Sequence, residues 1–310
     1  MRAVPPGMDF YCSVLSIQQE EPLAGSASTG EVWFLLEYEG VWERKAFEQS
    51  QIPEAVKAHL ASAVQAIPRS RVLMIKSRPG LLEPGVRFYV AVSSGPSPSL
   101  YEFHFHKYEE ILDLDLIGIV NGEPAWEPAR RITPLFLVCT NGRRDACCAK
   151  FGLSVYEALQ DATGDRMDVW QSSHVGGHRF APNVVVMPEG IYYGRVQPED
   201  PLGLVGAHLR GEYSLEHLRG RAIYPPVVQA AEILLRGETG RLIVDEFRFV
   251  NTQEESLGLW AVVFSSEPAG PVYRLKVARI ETGEQVRTGC FTDETEPLVR
   301  FELIELKKDK

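Results

Sequence analysis

Two short stretches of this 310-residue chain hold side chains able to bind a metal. The first, L-V-C-T-N-G-R-R-D-A-C-C-A-K-F-G, carries Cys139, Cys147 and Cys148, three of the five cysteines within ten residues. The second, W-Q-S-S-H-V-G-G-H-R-F-A, carries His174 and His178. Thiolates are soft ligands and imidazoles are borderline, so a pair of each on two separate loops suits a transition metal. A zinc finger fits poorly: H-x3-H matches half of one, but the residues between Cys139 and Cys148 exceed the usual two to four or so. A thioredoxin-type disulfide catalyst needs C-x-x-C at a helix start, which this chain lacks, and the vicinal pair Cys147–Cys148 cannot bond without strain. A [2Fe–2S] cluster is wider than a single ion and accepts two ligand pairs from separate loops, with two thiolates on one iron and two imidazoles on the other. Any one of these residues alone is as well explained as a buried cysteine or a hydrogen-bonded histidine. All four at one end of one sheet are better explained by a metal.

The elements around them set that geometry. Pro134–Cys139 reads as a strand ending on a sulfur ligand, and Asp145 caps a helix running through Leu159, its carboxylate accepting free N–H groups of the first turn. Thiolates at that helix start meet favourable N–H dipoles. Two adjacent glycines cost about 1 kcal/mol each inside a helix, so H-V-G-G-H is a tight loop whose backbone can approach a bulky group. Asp168–Ser172 is a second strand, Asn183–Met187 and Ile191–Val196 a hairpin across P-E-G, and Pro201–Leu209 a closing helix. The same order occurs upstream: strand Glu31–Tyr38, helix Pro53–Ile67, strands Val72–Lys76, Arg87–Val92 and Leu100–His106, and helix Tyr108–Ile119. Gly122–Arg131, with two prolines, is the linker between them. A helix crossing between parallel strands, then an antiparallel hairpin, is the thioredoxin-like order, and Pro182 stands where that fold commonly has a cis-proline.

The expected architecture is therefore α/β: tandem thioredoxin-like modules (β-α-β-β-β-α) with a C-terminal helix plus a small antiparallel sheet. Its divisions are 1–125, a degenerate module without metal; 132–210, the module with the cluster; and 211–310, a C-terminal α+β extension. The first copy has neither cysteines after its first strand nor paired histidines. In the extension, Pro225–Leu235 is a helix and Leu242–Val250, Trp260–Ser265, Val272–Ile280 and Val299–Leu306 are strands, with no feature that carries chemistry. The first thirty residues carry no firm element.

With 45% hydrophobic and 24% charged residues the composition is that of a soluble globular protein. No apolar run reaches a membrane span, and the N-terminus lacks the apolar core of a signal peptide. The expectations are a cytoplasmic location with reduced thiols, no membrane and no disulfide framework, Cys12 and Cys290 lying far from the other three. A net charge of −10 argues against nucleic acid and favours a positively charged redox partner, which the sequence leaves unidentified.

C-T-N-G-R-R-D-A-C-C, H-V-G-G-H-R-F-A and G-I-Y-Y-G-R-V, with E-P-L-A-G-S-A near the start and A-I-Y-P-P-V-V-Q-A-A-E later, resemble the sucrase/ferredoxin-like family of thioredoxin-like ferredoxins. Its C-x8-C…H-x-G-G-H pattern falls on Cys139, Cys148, His174 and His178. The resemblance implies a bis-histidine-ligated [2Fe–2S] cluster and an electron-transfer role, and it selects Cys148 over Cys147, which spacing leaves open. The expected function is one-electron transfer, an electron carrier rather than a stand-alone catalyst. With two neutral imidazoles the cluster goes from 0 to −1 on reduction, so its potential is relatively high, and imidazole N–H ionisation makes it proton-coupled. The alternatives are a zinc-binding structural or interaction protein using the same four ligands, and a thiol-dependent redox enzyme using Cys147. Arg143, Arg144 and Arg179 either face the cluster charge or a partner, or bond loop carbonyls. His104 and His106 share a solvated strand face, Trp170 belongs to the core, and Cys147 either donates to the cluster or is buried.

Overall fold

The computed structural model describes residues 11–77, 84–95 and 97–309. Most of the expected turn P-G-L-L-E-P-G lies outside them. Helix α1 spans Cys12–Gln18. The first module is β1 (Val32–Glu37), α2 (Glu54–Ala66), β2 (Ser70–Lys76), β3 (Val86–Val92), β4 (Ser99–Phe105), α3 (Leu116–Val120) and the two-residue strand β5 (Arg130–Arg131). The second is β6 (Leu135–Cys139), α4 (Ala146–Thr163), β7 (Asp168–Ser172), β8 (Val184–Met187), β9 (Ile191–Tyr193), α5 (Pro201–Leu209) and β10 (Leu218–Arg221). Helix α6 (Pro226–Thr239) and strands β11 (Phe247–Ser256), β12 (Leu259–Ser266), β13 (Val272–Arg287) and β14 (Thr295–Asp309) complete the chain.

Both modules have the thioredoxin-like arrangement. In each the first two strands are parallel, β1 with β2 and β6 with β7, and the third is antiparallel to the first, β3 on β1 and β8 on β6. The Ala181–Pro182 peptide is cis. The modules join edge to edge in one ten-stranded sheet of order β10-β9-β8-β6-β7-β2-β1-β3-β4-β5. The joint is antiparallel, with Ile75 opposite Ser172 and Lys76 opposite Gln171.

Side-chain alternation explains why all six residues of β1 are buried. Phe34 and Leu36 pack under α2, which presents Val56, Leu60 and Ala63 from one face. Trp33 and Leu35 point the other way, into a core shared with Leu137, Trp170, Val185 and Tyr192 of the second module. Phe136 and Val138 of β6 pack beneath α4 and α5 with Val155, Tyr156 and Leu204. The small sheet, β11-β12-β13-β14, packs on α6.

The structure departs from the sequence reading at several points. Cys12–Gln18 is helical. Tyr108–Ile119 is not one helix: a 3-10 turn, Tyr108–Asp113, precedes α3, whose cap Asp115 accepts from the Gly118 N–H at 3.0 Å. The linker forms a 3-10 turn and β5, which pairs with β4. Leu218–Arg221 adds a strand to the large sheet, so the layer that packs separately begins at α6. Among the described residues no helix is long and apolar enough to cross a membrane.

Candidate metal centre

Strand β6 delivers Cys139, 1% exposed, to the end of the shared core. Thr140–Asp145 then turns into α4. The Asp145 carboxylate caps this helix by accepting the Cys147 N–H at 3.0 Å, as its position in the sequence indicated. Consecutive helical residues point about 100° apart. Cys148 therefore faces Cys139, whereas Cys147 faces away, toward Cys12 and Cys290.

The histidine loop hangs between the modules. Ser173 is pinned to β2, its N–H giving a 2.7 Å bond to the Met74 carbonyl while its hydroxyl accepts the Met74 N–H at 3.0 Å. The Tyr192 hydroxyl donates to the Val175 carbonyl at 3.2 Å, and the Asn183 amide to the Gly177 carbonyl at 3.0 Å. Gly176 and Gly177 adopt φ of +101° and +68°, the left-handed region in which glycine is unstrained. Beneath them the buried Arg219 guanidinium donates to Asn183 Oδ1 at 2.7 Å, to the Gly176 carbonyl at 3.3 Å and to both oxygens of Ser26.

Cys139, Cys148 and His174 place one donor atom each within 4.8 Å of one another. His174 Nδ1 lies 3.9 Å from each sulfur. The expected fourth donor, His178, stands behind this triangle, its Nδ1 3.5 Å from His174 Nε2. His178 Nε2 meets the Thr288 carbonyl and lies 3.6 Å from Asp145 Oδ2, so its N–H is held outward and the Nδ1 lone pair faces His174 Nε2. The Cys139 thiol is held well below the usual range by a hydrogen bond from Cys148, assisted by His174 and the Val175 N–H against burial. Cys148, which gives that bond and is also buried, is pushed up. Burial lowers His178. Two buried sulfurs and two half-buried imidazoles fit a cluster ligated by soft atoms inside and borderline atoms at the surface.

His174 also lines a cleft of ≈ 550 Å³ between the modules, whose walls include Arg44, Lys45, Arg71 and Arg144. Arg179 is turned elsewhere, to Glu21 at 2.7 Å and to Glu296, and Arg143 is exposed. His104 and His106 are exposed, and Trp170 is core. Cys147 is buried, facing other thiols. The extension was expected to carry no chemistry; instead the β13–β14 loop brings Thr288 to His178 and Cys290 to Cys12 and Cys147. Gly289 makes that approach possible, since a Cβ there would lie 2.9 Å from His178 Nε2.

The sucrase/ferredoxin-like family model matches residues 23–220. The chain belongs to the sucrase/ferredoxin-like family. Altered inheritance of mitochondria protein 32 from Debaryomyces hansenii is 35% identical over 92 residues, 27% of this chain and 34% of that protein. The Meyerozyma guilliermondii protein of the same name is 36% identical over 84 residues, 24% and 30% of the two chains. The matched part thus spans about a third of these relatives. Among solved structures, the thioredoxin-like [2Fe–2S] ferredoxin from Aquifex aeolicus is similar at 24% identity, over 30% of this chain and 96% of that one, with a TM-score of 0.28.

Proposed function

We propose that this sucrase/ferredoxin-like protein is a one-electron carrier holding a [2Fe–2S] cluster on Cys139, Cys148, His174 and His178. The observation that supports the reading most is the convergence of two buried sulfurs and His174 within 4.8 Å, with His178 Nδ1 at its rim, 3.5 Å from His174 Nε2. The cluster, when bound, supplies a one-electron couple. The chain's residues set its surroundings. Cys139 and Cys148 keep the sulfur side away from water, and the two imidazoles form the outer side where a partner comes close. Arg44, Lys45, Arg71 and Arg144 make the cleft at His174 locally basic despite the acidic whole. A partner with an acidic patch docks there, a revision of the basic partner that net charge alone suggested. The Thr288 carbonyl holds the His178 Nε2 proton, and the potential is flat in acid and falls at higher pH by about 59 mV per unit for one proton per electron.

The first module, without converging donors among its described residues, serves as the wall of that cleft and the support of the histidine loop. The compact Cys139–Cys148–His174 triangle favours one competing reading, a single zinc at the same residues. Protein purified without oxygen decides between them. A red-brown colour bleached by dithionite, with iron and labile sulfide in equal amounts, is expected; a colourless protein carrying zinc in their place would sink the cluster reading. Cys139→Ser and Cys148→Ser should lose the iron, and Cys147→Ser should keep it.

A further inference from the structure

Cys12, Cys147, Cys290 and Asp145 come from three remote parts of the chain and place one donor atom each within 4.8 Å of one another. The sulfurs form a triangle with edges of 3.2 Å (Cys147–Cys290), 3.5 Å (Cys12–Cys147) and 3.6 Å (Cys12–Cys290). Thiolates around a tetrahedral zinc stand about 3.8 Å apart, given Zn–S bonds near 2.3 Å. A disulfide requires about 2.05 Å. The triangle is therefore close to the size of a three-thiolate ion site, and Cys12 Sγ lies 3.7 Å from Asp145 Oδ1, which supplies a fourth donor.

Two further observations point to an ion rather than to casual packing of thiols. Hydrogen-bond donors are aimed at the sulfurs: the Ser13 N–H and hydroxyl lie 3.4 and 3.2 Å from Cys147 Sγ, and the Cys12 N–H lies 3.4 Å from Cys290 Sγ. Such donors stabilise thiolates. Asp145 is also 1% exposed, yet among the described residues no lysine or arginine pairs with it. Its nearest basic group, His178 Nε2 at 3.6 Å, is engaged with Thr288. The Asp145 oxygens accept the Cys147 N–H at 3.0 Å and the Cys290 N–H at 2.8 Å, which hold the carboxylate beside the three sulfurs and leave its charge without a cationic partner.

We infer that Cys12, Cys147, Cys290 and Asp145 form a second metal site, separate from the cluster ligands, that binds one Zn²⁺ through three thiolates and a carboxylate oxygen. An oxygen and three sulfurs in a buried four-donor set suit zinc, and a closed set of this kind is structural. On loading, the protons of the thiols leave to solvent and no electron moves. The ion fastens α1, the start of α4 and the β13–β14 loop to one point. This assignment stands whether or not the neighbouring residues hold a cluster.

The test is metal analysis of the full-length, iron-loaded protein, with zinc affinity measured by titration against a chromophoric chelator. Wild type should carry one zinc per chain besides its iron. Cys12→Ser and Cys290→Ser, both far in sequence from the cluster ligands, should each lose the zinc and keep the iron and its reduced-state electron paramagnetic resonance. Zinc should also shield Cys12, Cys147 and Cys290 of the wild type from alkylation, mapped by mass spectrometry, a readout that needs no variant to fold. Absence of zinc from the wild type, zinc undiminished in both variants, zinc present only where iron is missing, or alkylation unaffected by zinc would each overturn the assignment.

Discussion

Replacing Gly177 by alanine tests how the histidine loop is held. Gly177 has φ +68° and ψ +49°, a left-handed conformation costing an L-residue roughly 1–2 kcal/mol. A Cβ there would run into Arg219 Nη2 and lie 2.8 Å from Arg219 Cζ and 3.0 Å from Nη1. Ordinary carbon–carbon contact is about 3.5 Å, so Cζ must retreat by at least about 0.7 Å and Nη2 by more. That carries its 2.7 Å bond to Asn183 to the limit of hydrogen bonding and its 3.3 Å bond to Gly176 beyond it. Bonds from a charged donor contribute roughly 1.5–3 kcal/mol each, so with the backbone strain the substitution costs about 3–5 kcal/mol. In a chain of this size that lowers the melting temperature by on the order of 10 °C. The adjoining His178 shifts with the loop, so iron retention falls further than stability does. Thermal unfolding followed by circular dichroism and iron per folded chain are the assays. Gly237→Ala serves as control: it lies in α6 with nothing within 4 Å of the new Cβ, and it should be neutral or slightly stabilising. A Gly177→Ala protein with wild-type melting temperature and iron content would refute the reasoning.

Two other perturbations probe the scaffold. Burial pushes His208, 2.9 Å from the Tyr193 hydroxyl, down to about 4. Because its unfolded value is near 6.5, the unfolded chain takes up the proton first, and stability declines as pH falls from 6.5 toward 4, by about 2 kcal/mol at pH 5. His208→Gln should flatten that part of the curve of melting temperature against pH; parallel curves would exclude His208 as the cause. In α6, Glu232 and Arg236 pair at 2.8 Å with both side chains buried, and the Tyr213 hydroxyl donates to the same carboxylate at 3.2 Å. Glu232→Gln leaves a buried cation and should cost on the order of 3–5 kcal/mol in denaturant titration, much of it recovered when Arg236→Met is added. A loss no larger in the single than in the double variant would show that the pair is not coupled.

Sequence reading located most elements because their patterns are local. Asp168–Ser172 and Pro201–Leu209 have the expected bounds, one a short apolar-branched run and the other a helix opened by proline. Helix Cys12–Gln18 is hard to see in the sequence because the face it buries, Cys12, Ser13 and Ser16, is small and largely polar, while Ile17 is exposed. Strand Leu218–Arg221 was hidden by its two arginines, which read as surface but are buried, Arg219 having its hydrogen-bond partners inside. At the candidate metal centre, residue types in two clusters pointed to Cys139, His174, His178 and one of Cys147 and Cys148, the family resemblance chose Cys148, and the structure brings Cys139, Cys148 and His174 together. What the chain order cannot show is contact across long separations. Cys12 and Cys290 are 278 residues apart, and Thr288 is 110 residues from the histidine it faces.

The edge-to-edge joint has a consequence for quaternary behaviour. Counted outward from the β2–β7 contact, the strands run β2-β1-β3-β4-β5 on one side and β7-β6-β8-β9-β10 on the other, the same sequence of roles twice. Antiparallel pairing of equivalent strands is the relation that a twofold axis generates between identical subunits. The molecule is thus built like a homodimer whose halves have been tied in tandem and have since diverged. Releasing the second half by proteolysis after β5 would bare the β7 edge, and an uncovered edge is a template for another strand. The freed halves should therefore pair with each other through β7, giving a symmetric species of twice their mass in light scattering.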